Sequence, residues 1–351
     1  MTWSDIYERA RTRLDAAAGY YNHNVRVDLS TESVIVRIPI EGADVMDLRL
    51  WREQELLPAI APYVARAPRL VFLSTAPPFQ IHEFIEGVVL NDIAPRGVPC
   101  PRHVLTDVAE LFLQLVDVPR DVLPPIPDEW PADADSAAFA RRLTSLTQWV
   151  YDTFAEQYRP LFARFEIPDQ PLACLTEIWP TLTARPSVCV HADVHRKNII
   201  VNEGGSVFLD WELALWGDPV YDMAVHLHKM DYGDDERDEL LLRWSARMPP
   251  QHVAGWQPDL RAYLSHEQIK SAVVDTVRYS QLFVANGPWP YAKATMLESM
   301  AAKLNAARPY WGISTRITVD EVESALNDWV HDADTRLGSG VSRNRHQYRT
   351  G

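Results

Sequence analysis

Two hydrophobic periods alternate along this chain, and the places where one gives way to the other outline its organisation. Val25 to Leu29 and Val34 to Ile40 are short runs rich in β-branched residues. The polar string Ser30-Thr-Glu-Ser33 between them reads as a hairpin turn. From Asp44 to Ile60, Leu48, Trp51, Leu56 and Ile60 recur at helical spacing with few breakers, which predicts the main helix of a small β-rich region. Phe72, and then Phe79 to Gly87, continue as strands.

Beyond Gly87 the chain turns helical and rich in Pro, Trp and Ala. Helices are expected over Arg102–Val116, Asp135–Phe165, Gln170–Leu182, Tyr221–Lys229, Asp235–Arg247, Ser265–Val284, Ala292–Ala307 and Thr318–Arg336. Ser265-His-Glu-Gln268 and Thr318-Val-Asp-Glu321 read as capping boxes, and the faces Ile269/Val273/Val277 and Val322/Leu326/Trp329 as core. The Pro-rich stretch Leu123–Pro131 is an exposed crossing rather than a domain boundary, because helical pattern resumes after it. No internal repeat is visible, and residues 338–351, almost devoid of apolar side chains, are expected to be disordered.

Between the helices lie two apolar runs, Ile199-Ile-Val201 and Val207-Phe-Leu209, joined by Asn202-Glu-Gly-Gly205. They form a hairpin that carries chemistry at its open end. His191-Ala-Asp193-Val-His-Arg-Lys-Asn198 precedes it, and Asp210, twelve residues after Asn198, closes it. The spacing H-x-D-x-x-x-x-N followed by a strand ending in Asp is that of a phosphoryl-transfer site. Such transfer needs alignment of a hydroxyl and neutralisation of phosphate charge more than covalent help. Asp193 would orient and deprotonate the acceptor hydroxyl. Asn198 and Asp210, hard oxygen ligands, would hold Mg²⁺, and His191 would prop the loop. An HxD string alone arises by chance, and an Asp ending a strand is a common turn residue. The offset of Asn198 and the hairpin are independent pieces that favour the site.

The stretch V-C-V-H-A-D-V-H-R-K-N-I-I-V, then F-L-D-W-E, then G-D-P-V-Y-D-M-A resembles the aminoglycoside phosphotransferase and choline kinase-like superfamily. The resemblance implies an α+β, two-lobed protein-kinase-like fold: a small antiparallel sheet with one main helix over residues 1–87, and a larger, mostly helical catalytic lobe over 88–337. It places Arg37 where the superfamily carries its phosphate-contacting cation, with a surface Arg on an edge strand as the plainer alternative. Glu53, or else Glu55, would pair with Arg37. Phe79 to Gly87 resembles the hinge string, so that the main chain at Glu83, Phe84 and Ile85 would read the base. Asp222 would brace the catalytic loop from within a helix, His195 stands where the family also places His, and Gly19 to Asn24 takes the place of a phosphate loop. Ala192 replaces the usual Gly, and Arg196-Lys197 replace Pro-Gly, putting two basic residues beside the acceptor site.

Length and composition agree with an enzyme of this size: 351 residues, 47% hydrophobic, are enough for a substantial core. The formal net charge of −14, with no basic stripe, argues against nucleic acid and for cationic partners. No run of about 18 apolar residues predicts a membrane span. The amphipathic N-terminus lacks a signal peptide's apolar segment. Three scattered cysteines, Cys100, Cys174 and Cys189, fit buried thiols in a reducing cytoplasm. His226 and His228 sit two apart on a helix, where both cannot share one face, which argues against zinc.

Three readings of function follow. The first is an ATP-dependent kinase, GTP not excluded, acting with Mg²⁺ on the hydroxyl of a small cationic acceptor such as an aminoglycoside-like antibiotic. The acidic run Asp231–Glu239 would attract that acceptor, or is simply a solvated helix start. The second is a kinase for Ser or Thr of a natural-product precursor peptide, working ahead of a separate lyase; Arg196-Lys197, Trp289 and Tyr291 would suit it. The third is an inactive kinase-fold scaffold, which predicts loss of Asp193, Asn198 or Asp210; all three are present.

Overall fold

The structure, a computed structural model, describes residues 2–13, 22–30, 32–40, 48–284 and 290–338. Gly19–Tyr21 of the expected phosphate loop, residues 44–47 of the first expected main helix, Trp289 and the tail from 339 lie outside the described residues. The chain forms two compact units. One comprises the described residues of 1–136 with 183–256, the other those of 137–182 with 257–350.

In the first unit, helix α1 (Trp3–Arg11) precedes strands β1 (Asn22–Asp28) and β2 (Ser33–Pro39), helix α2 (Glu53–Ile60), and strands β3 (Leu70–Thr75) and β4 (Pro78–Glu83). The strands form one antiparallel sheet in the order β1-β2-β4-β3. Alternation along β2 decides what each face does. Val34, Val36 and Ile38 pack with Val25, Val27, Phe79 and Ile81 against Ile6 and Ala10 of α1. Arg37, between them in sequence, must therefore project from the other face.

Helix α2 is shorter than the pattern predicts, with residues 48–52 irregular and Arg52 as N-cap. Trp51, counted as a helical core position, instead lies buried before the helix and donates its indole N–H to the Pro125 carbonyl at 3.1 Å. The five-residue gap from Trp51 to Leu56 was the discordant signal.

Past the sheet come β5 (Val88–Val89), α3 (Leu90–Ile93) and α4 (Arg102–Val116). The long helix α5 (Ser136–Arg164) follows. The first unit then resumes with β6 (Val188–Val190), β7 (Ile199–Asn202), β8 (Gly205–Phe208), β9 (Leu215–Gly217), α6 (Pro219–Met230) and α7 (Asp234–Arg247). β7 and β8 pair as the expected hairpin, with β5 on the far edge of β7, while β6 pairs with β9. Asp218 caps α6 by accepting the Val220 N–H at 2.9 Å, and Pro219 sits in its first turn. Every residue from Pro219 to Leu227 is buried, so α6 can present polar groups inward only where they find partners. The acidic run after it opens α7, where Asp234 and Asp238 are exposed and paired with Arg237.

The second unit is helical: α5, α8 (Trp256–Val284), α9 (Pro290–Ala307) and α10 (Val319–Gly338). Ile269, Val273, Val277, Val322 and Leu326 are buried, as their spacing predicts, and Trp329 stacks on Tyr158 with ring centroids 5.1 Å apart. Two expectations fail here. Ser265 does not start a helix; it lies inside α8 and its hydroxyl donates back to the Arg261 carbonyl at 2.9 Å. Gln170–Leu182 forms only short 3₁₀ turns at Ala173–Leu175 and Trp179–Thr181, because Pro171 and Pro180 interrupt the ladder. The Thr318 box does close α10, with Glu321 N–H to the Thr318 hydroxyl at 3.2 Å and Thr318 N–H to the Glu321 carboxylate at 2.8 Å.

Candidate active site

Strand β6, buried throughout, delivers the chain to His191. One carboxylate then shapes the turn: Asp222 accepts the His191 N–H at 2.9 Å and the Ala192 N–H at 2.8 Å. Burial pushes the Asp222 carboxyl up to about 7, against the pull of those two amides. Ala192 has φ 56°, in the left-handed region that favours Gly. His191 is wholly buried, its ring 4.3 Å from that of Trp211, and its Nδ1 accepts the Asp193 N–H at 3.3 Å. Burial lowers its imidazole to about 4, so it is neutral near pH 7.

Asp193 has each carboxylate oxygen engaged. Oδ2 accepts the Asn198 side-chain amide at 3.1 Å, and Oδ1 pairs with the Lys229 ammonium and lies 3.6 Å from His195 Nε2. Burial opposes its charge, but Lys229 and then His195 hold the carboxyl below the usual range. His195 caps the 3₁₀ turn Arg196–Asn198, its Nδ1 accepting the Lys197 N–H at 3.2 Å. Asn198 also donates to the Asp193 carbonyl at 3.1 Å. Both bonds use its amide nitrogen, which leaves the carbonyl oxygen as its acceptor.

Asn198 and Asp210 flank the β7–β8 hairpin, and the Leu209 N–H donates to the Asn198 carbonyl at 2.8 Å, continuing the ladder to the site. Asp210 has φ 63°. Its Oδ1 is 3.8 Å from Arg37 Nη2 and is a buried oxygen with no hydrogen-bond partner. Burial pushes its carboxyl up to about 8; Arg37 works against this, while Asp193, Glu212 and Glu53 add to it.

Arg37 meets three carboxylates. It pairs with Glu53 at the start of α2, donates to Glu212 at 2.6 Å, and faces Asp210. The second oxygen of Glu53 accepts the Trp211 N–H at 3.0 Å, and Glu212 also accepts from Asn22 at 2.6 Å. Glu55, the alternative partner, is exposed. Of the residues expected to form the hinge, Phe84 and Ile85 lie between β4 and β5, outside both ladders. The Glu83 carboxylate is taken by Arg69, through its N–H at 2.9 Å and its Nε at 2.7 Å, and the Arg26 guanidinium sits 4.1 Å over the Phe84 ring. Gly87, φ 144°, is required because a Cβ there would come within 2.6 Å of Ile200 Cγ2 and the Val201 carbonyl.

Sequence reasoning missed two members of the cluster, Lys229 and Glu212, and misplaced one. Asp222, His226 and Lys229 fall at i, i+4 and i+7, one stripe along α6, and all three face the loop His191–Asn198: His226 Nδ1 is 2.9 Å from the Val194 carbonyl. That spacing was the available signal. Glu212 was readable only as the last residue of F-L-D-W-E. Arg196 does not stand beside an acceptor. It is buried, and its guanidinium donates to the carbonyls of Met230 at 2.8 Å, Ala94 at 2.6 Å and Val98 at 3.0 Å. Lys197 alone is exposed.

A small antiparallel sheet with a buried Arg–Glu pair, and an H-x-D loop feeding a hairpin that ends in Asp, define a protein-kinase-like fold. Residues 14–256 match the phosphotransferase enzyme family, and the chain belongs to that family: it is a phosphotransferase of the kinase type with an alcohol group as acceptor. Solved structures agree on the fold. A putative aminoglycoside phosphotransferase from Ralstonia eutropha has TM-score 0.59 at 15% identity, over 92% of this chain and 98% of that one. A choline kinase from Streptococcus pneumoniae has TM-score 0.56 at 13% identity, over 86% and 98%. A gentamicin complex of an aminoglycoside 2″-phosphotransferase has TM-score 0.53 at 16% identity, over 87% and 96%. In sequence, a homoserine kinase from Bartonella henselae is 24% identical over 177 residues, which span 44% of this chain and only 55% of that relative. Among the described residues no helix is long and apolar enough to cross a membrane.

Proposed function

We propose that this protein transfers the γ-phosphoryl group of ATP to a hydroxyl of a small cationic acceptor, of the aminoglycoside-like class. The observation that carries the reading is the setting of Asp193: an ionised, buried carboxylate beside Asn198 and Asp210, with Arg37 on the far side of Asp210. Asp193 orients the acceptor hydroxyl and takes its proton. The hydroxyl oxygen bonds to the γ-phosphorus as the bond from phosphorus to the β,γ-bridging oxygen breaks, and ADP leaves with that electron pair. Arg37, fixed by Glu53 and Glu212, supplies positive charge to the nucleotide phosphates, and the backbone at Glu83 to Ile85 reads the base.

The residues present fit a magnesium ion. Asp210 Oδ1 is a buried oxygen without a hydrogen-bond partner, Asn198 keeps its carbonyl oxygen, and an all-oxygen set suits a hard dication. Bound there, Mg²⁺ would neutralise phosphate charge. The chain's charge of −14, and the likeness of its fold to a choline kinase and to a phosphotransferase bound to gentamicin, support a cationic acceptor. The peptide-kinase reading keeps no support from Arg196, which is buried on backbone carbonyls.

Intact-mass spectrometry tests this directly. Pooled aminoglycosides, cyclic peptide antibiotics, choline, homoserine and Ser/Thr peptides would be incubated with enzyme, Mg²⁺ and ATP or GTP; GTP belongs in the set because a similar structure, with TM-score 0.53 and 14% identity, is a GDP complex of an aminoglycoside 2′-phosphotransferase. One phosphoryl mass on an aminoglycoside, absent with Asp193→Asn, is the expected result. Addition only to a peptide would overturn the acceptor class, and turnover retained in Asp193→Asn would overturn the base.

A further inference from the structure

The phosphotransfer motif assigns no role to Lys229, yet its ammonium is the charged group set against Asp193 Oδ1. Three other tethers already join α6 to the loop: Asp222 to the amides of His191 and Ala192, His226 to the Val194 carbonyl, and the Met230 carbonyl to Arg196. A fourth tether on the base itself adds little to the fold. It weakens Asp193 as a proton acceptor, because a nearby cation favours the ionised carboxylate.

The two oxygens of Asp193 are not equivalent. Oδ2 is held by Asn198, within the same short turn. Oδ1 is faced by a lysine on a long flexible stem, its side chain 26% exposed. An acceptor hydroxyl can therefore reach Oδ1 by displacing or joining Lys229, without disturbing Asn198. When the hydroxyl proton passes to Oδ1, the carboxylate charge disappears and the ion pair between it and the ammonium is lost. At that moment negative charge is spread over the oxygens of the phosphoryl group in transit, next to the same hydroxyl.

We infer that Lys229 is a catalytic residue that follows this charge, paired with Asp193 before transfer and bonded to a γ-phosphoryl oxygen in the transition state. The inference rests on the kinase reading above. It makes the base and the phosphoryl-stabilising cation a single switched pair, contributed by the loop and by the last turn of α6.

The test needs no acceptor. Calorimetry would measure the affinity of the full-length protein for Mg-ADP with and without fluoroaluminate, which mimics the phosphoryl group in transit. Wild type should bind Mg-ADP more tightly when fluoroaluminate is present. Lys229→Met should keep Mg-ADP affinity within about twofold and lose roughly tenfold or more of the fluoroaluminate gain, the value of about one charge-assisted hydrogen bond. Lys229→Arg should keep part of that gain, and carries the test should the Met variant melt early. In an Asp193→Asn background, Lys229→Met should still reduce the gain; no further loss there would mean that Lys229 acts only by holding Asp193, and would overturn the inference. A full gain in Lys229→Met would overturn it too. A wild type that binds no Mg-ADP would instead remove the kinase reading, and this inference with it.

Discussion

Ala192 is held in the left-handed region, at φ 56°, by Asp222, whose carboxylate accepts its backbone N–H at 2.8 Å. A Cβ in that region costs roughly 1–2 kcal/mol, whereas Gly costs about 0.5–1 kcal/mol through the unfolded chain. Ala192→Gly should therefore leave stability equal or raise it by up to about 1 kcal/mol, read as a higher urea midpoint at constant slope. A clearly lower midpoint would show that the buried methyl group contributes packing that outweighs the strain.

Arg37→Met should do more harm than loss of a surface ion pair. It would leave the buried Glu53 without its ion-pair partner and take one guanidinium from Glu212, and removing one partner of a buried pair costs about 3–5 kcal/mol. Thermal melts and Mg-ATP titration should both register it, while Arg37→Lys, which keeps charge but not the fork, should recover part of the stability and less of the affinity. Equal nucleotide affinity in all three proteins would move the phosphate contact elsewhere.

Arg196→Ala and Lys197→Ala should separate cleanly. The first strips donors from three carbonyls, a loss of about 2–4 kcal/mol; the second removes an exposed charge and should change stability by no more than about 0.5 kcal/mol. Denaturant midpoints decide this, and a destabilised Lys197 variant with a robust Arg196 variant would contradict the assignment of the buried guanidinium.

His226 makes the fold acid-sensitive. Burial lowers its imidazole to about 3 in the folded protein, so between pH 6.5 and 3 the unfolded chain binds the extra proton, and stability falls as pH falls through that window. At pH 5 the loss from this one group is about 2 kcal/mol relative to pH 7. His226→Gln should flatten the dependence of the urea midpoint on pH between 7 and 5, even if its absolute stability is lower. An unaltered slope would place the acid sensitivity in other buried histidines such as His82, whose imidazole burial lowers to about 4.

What could be read in advance followed from local rules. The β-branched runs of β1 and β2 and the H-x-D-x-x-x-x-N spacing depend on neighbours in sequence, so the sheet, the hairpin and the loop were all visible. Arg37 and Glu53 come from separate elements, and only the family resemblance joined them; the choice over Glu55 needed the face that α2 presents. Lys229 and Arg196 escaped because their partners are distant: a carboxylate 36 residues away and carbonyls up to 102 residues away. A basic side chain in a loop carries no local sign of whether it turns outward or inward. The misread helices at Gln170–Leu182 and before Glu53 failed for a different reason, since prolines and a broken period were outweighed by apolar content.

The β7–β8 register pairs Ile199 with Phe208 and Asn202 with Gly205, and it sets limits on how this site tolerates insertions and deletions. Residues added at Glu203-Gly204 lengthen a turn far from the chemistry and leave both strands in place. One residue added or removed within Ile199–Val201 or Val207–Phe208 slips the ladder, and every side chain beyond it changes face. If Asn198 and Asp210 hold one cation, as proposed above, they could then no longer do so, and length variation in this hairpin should be confined to its tip.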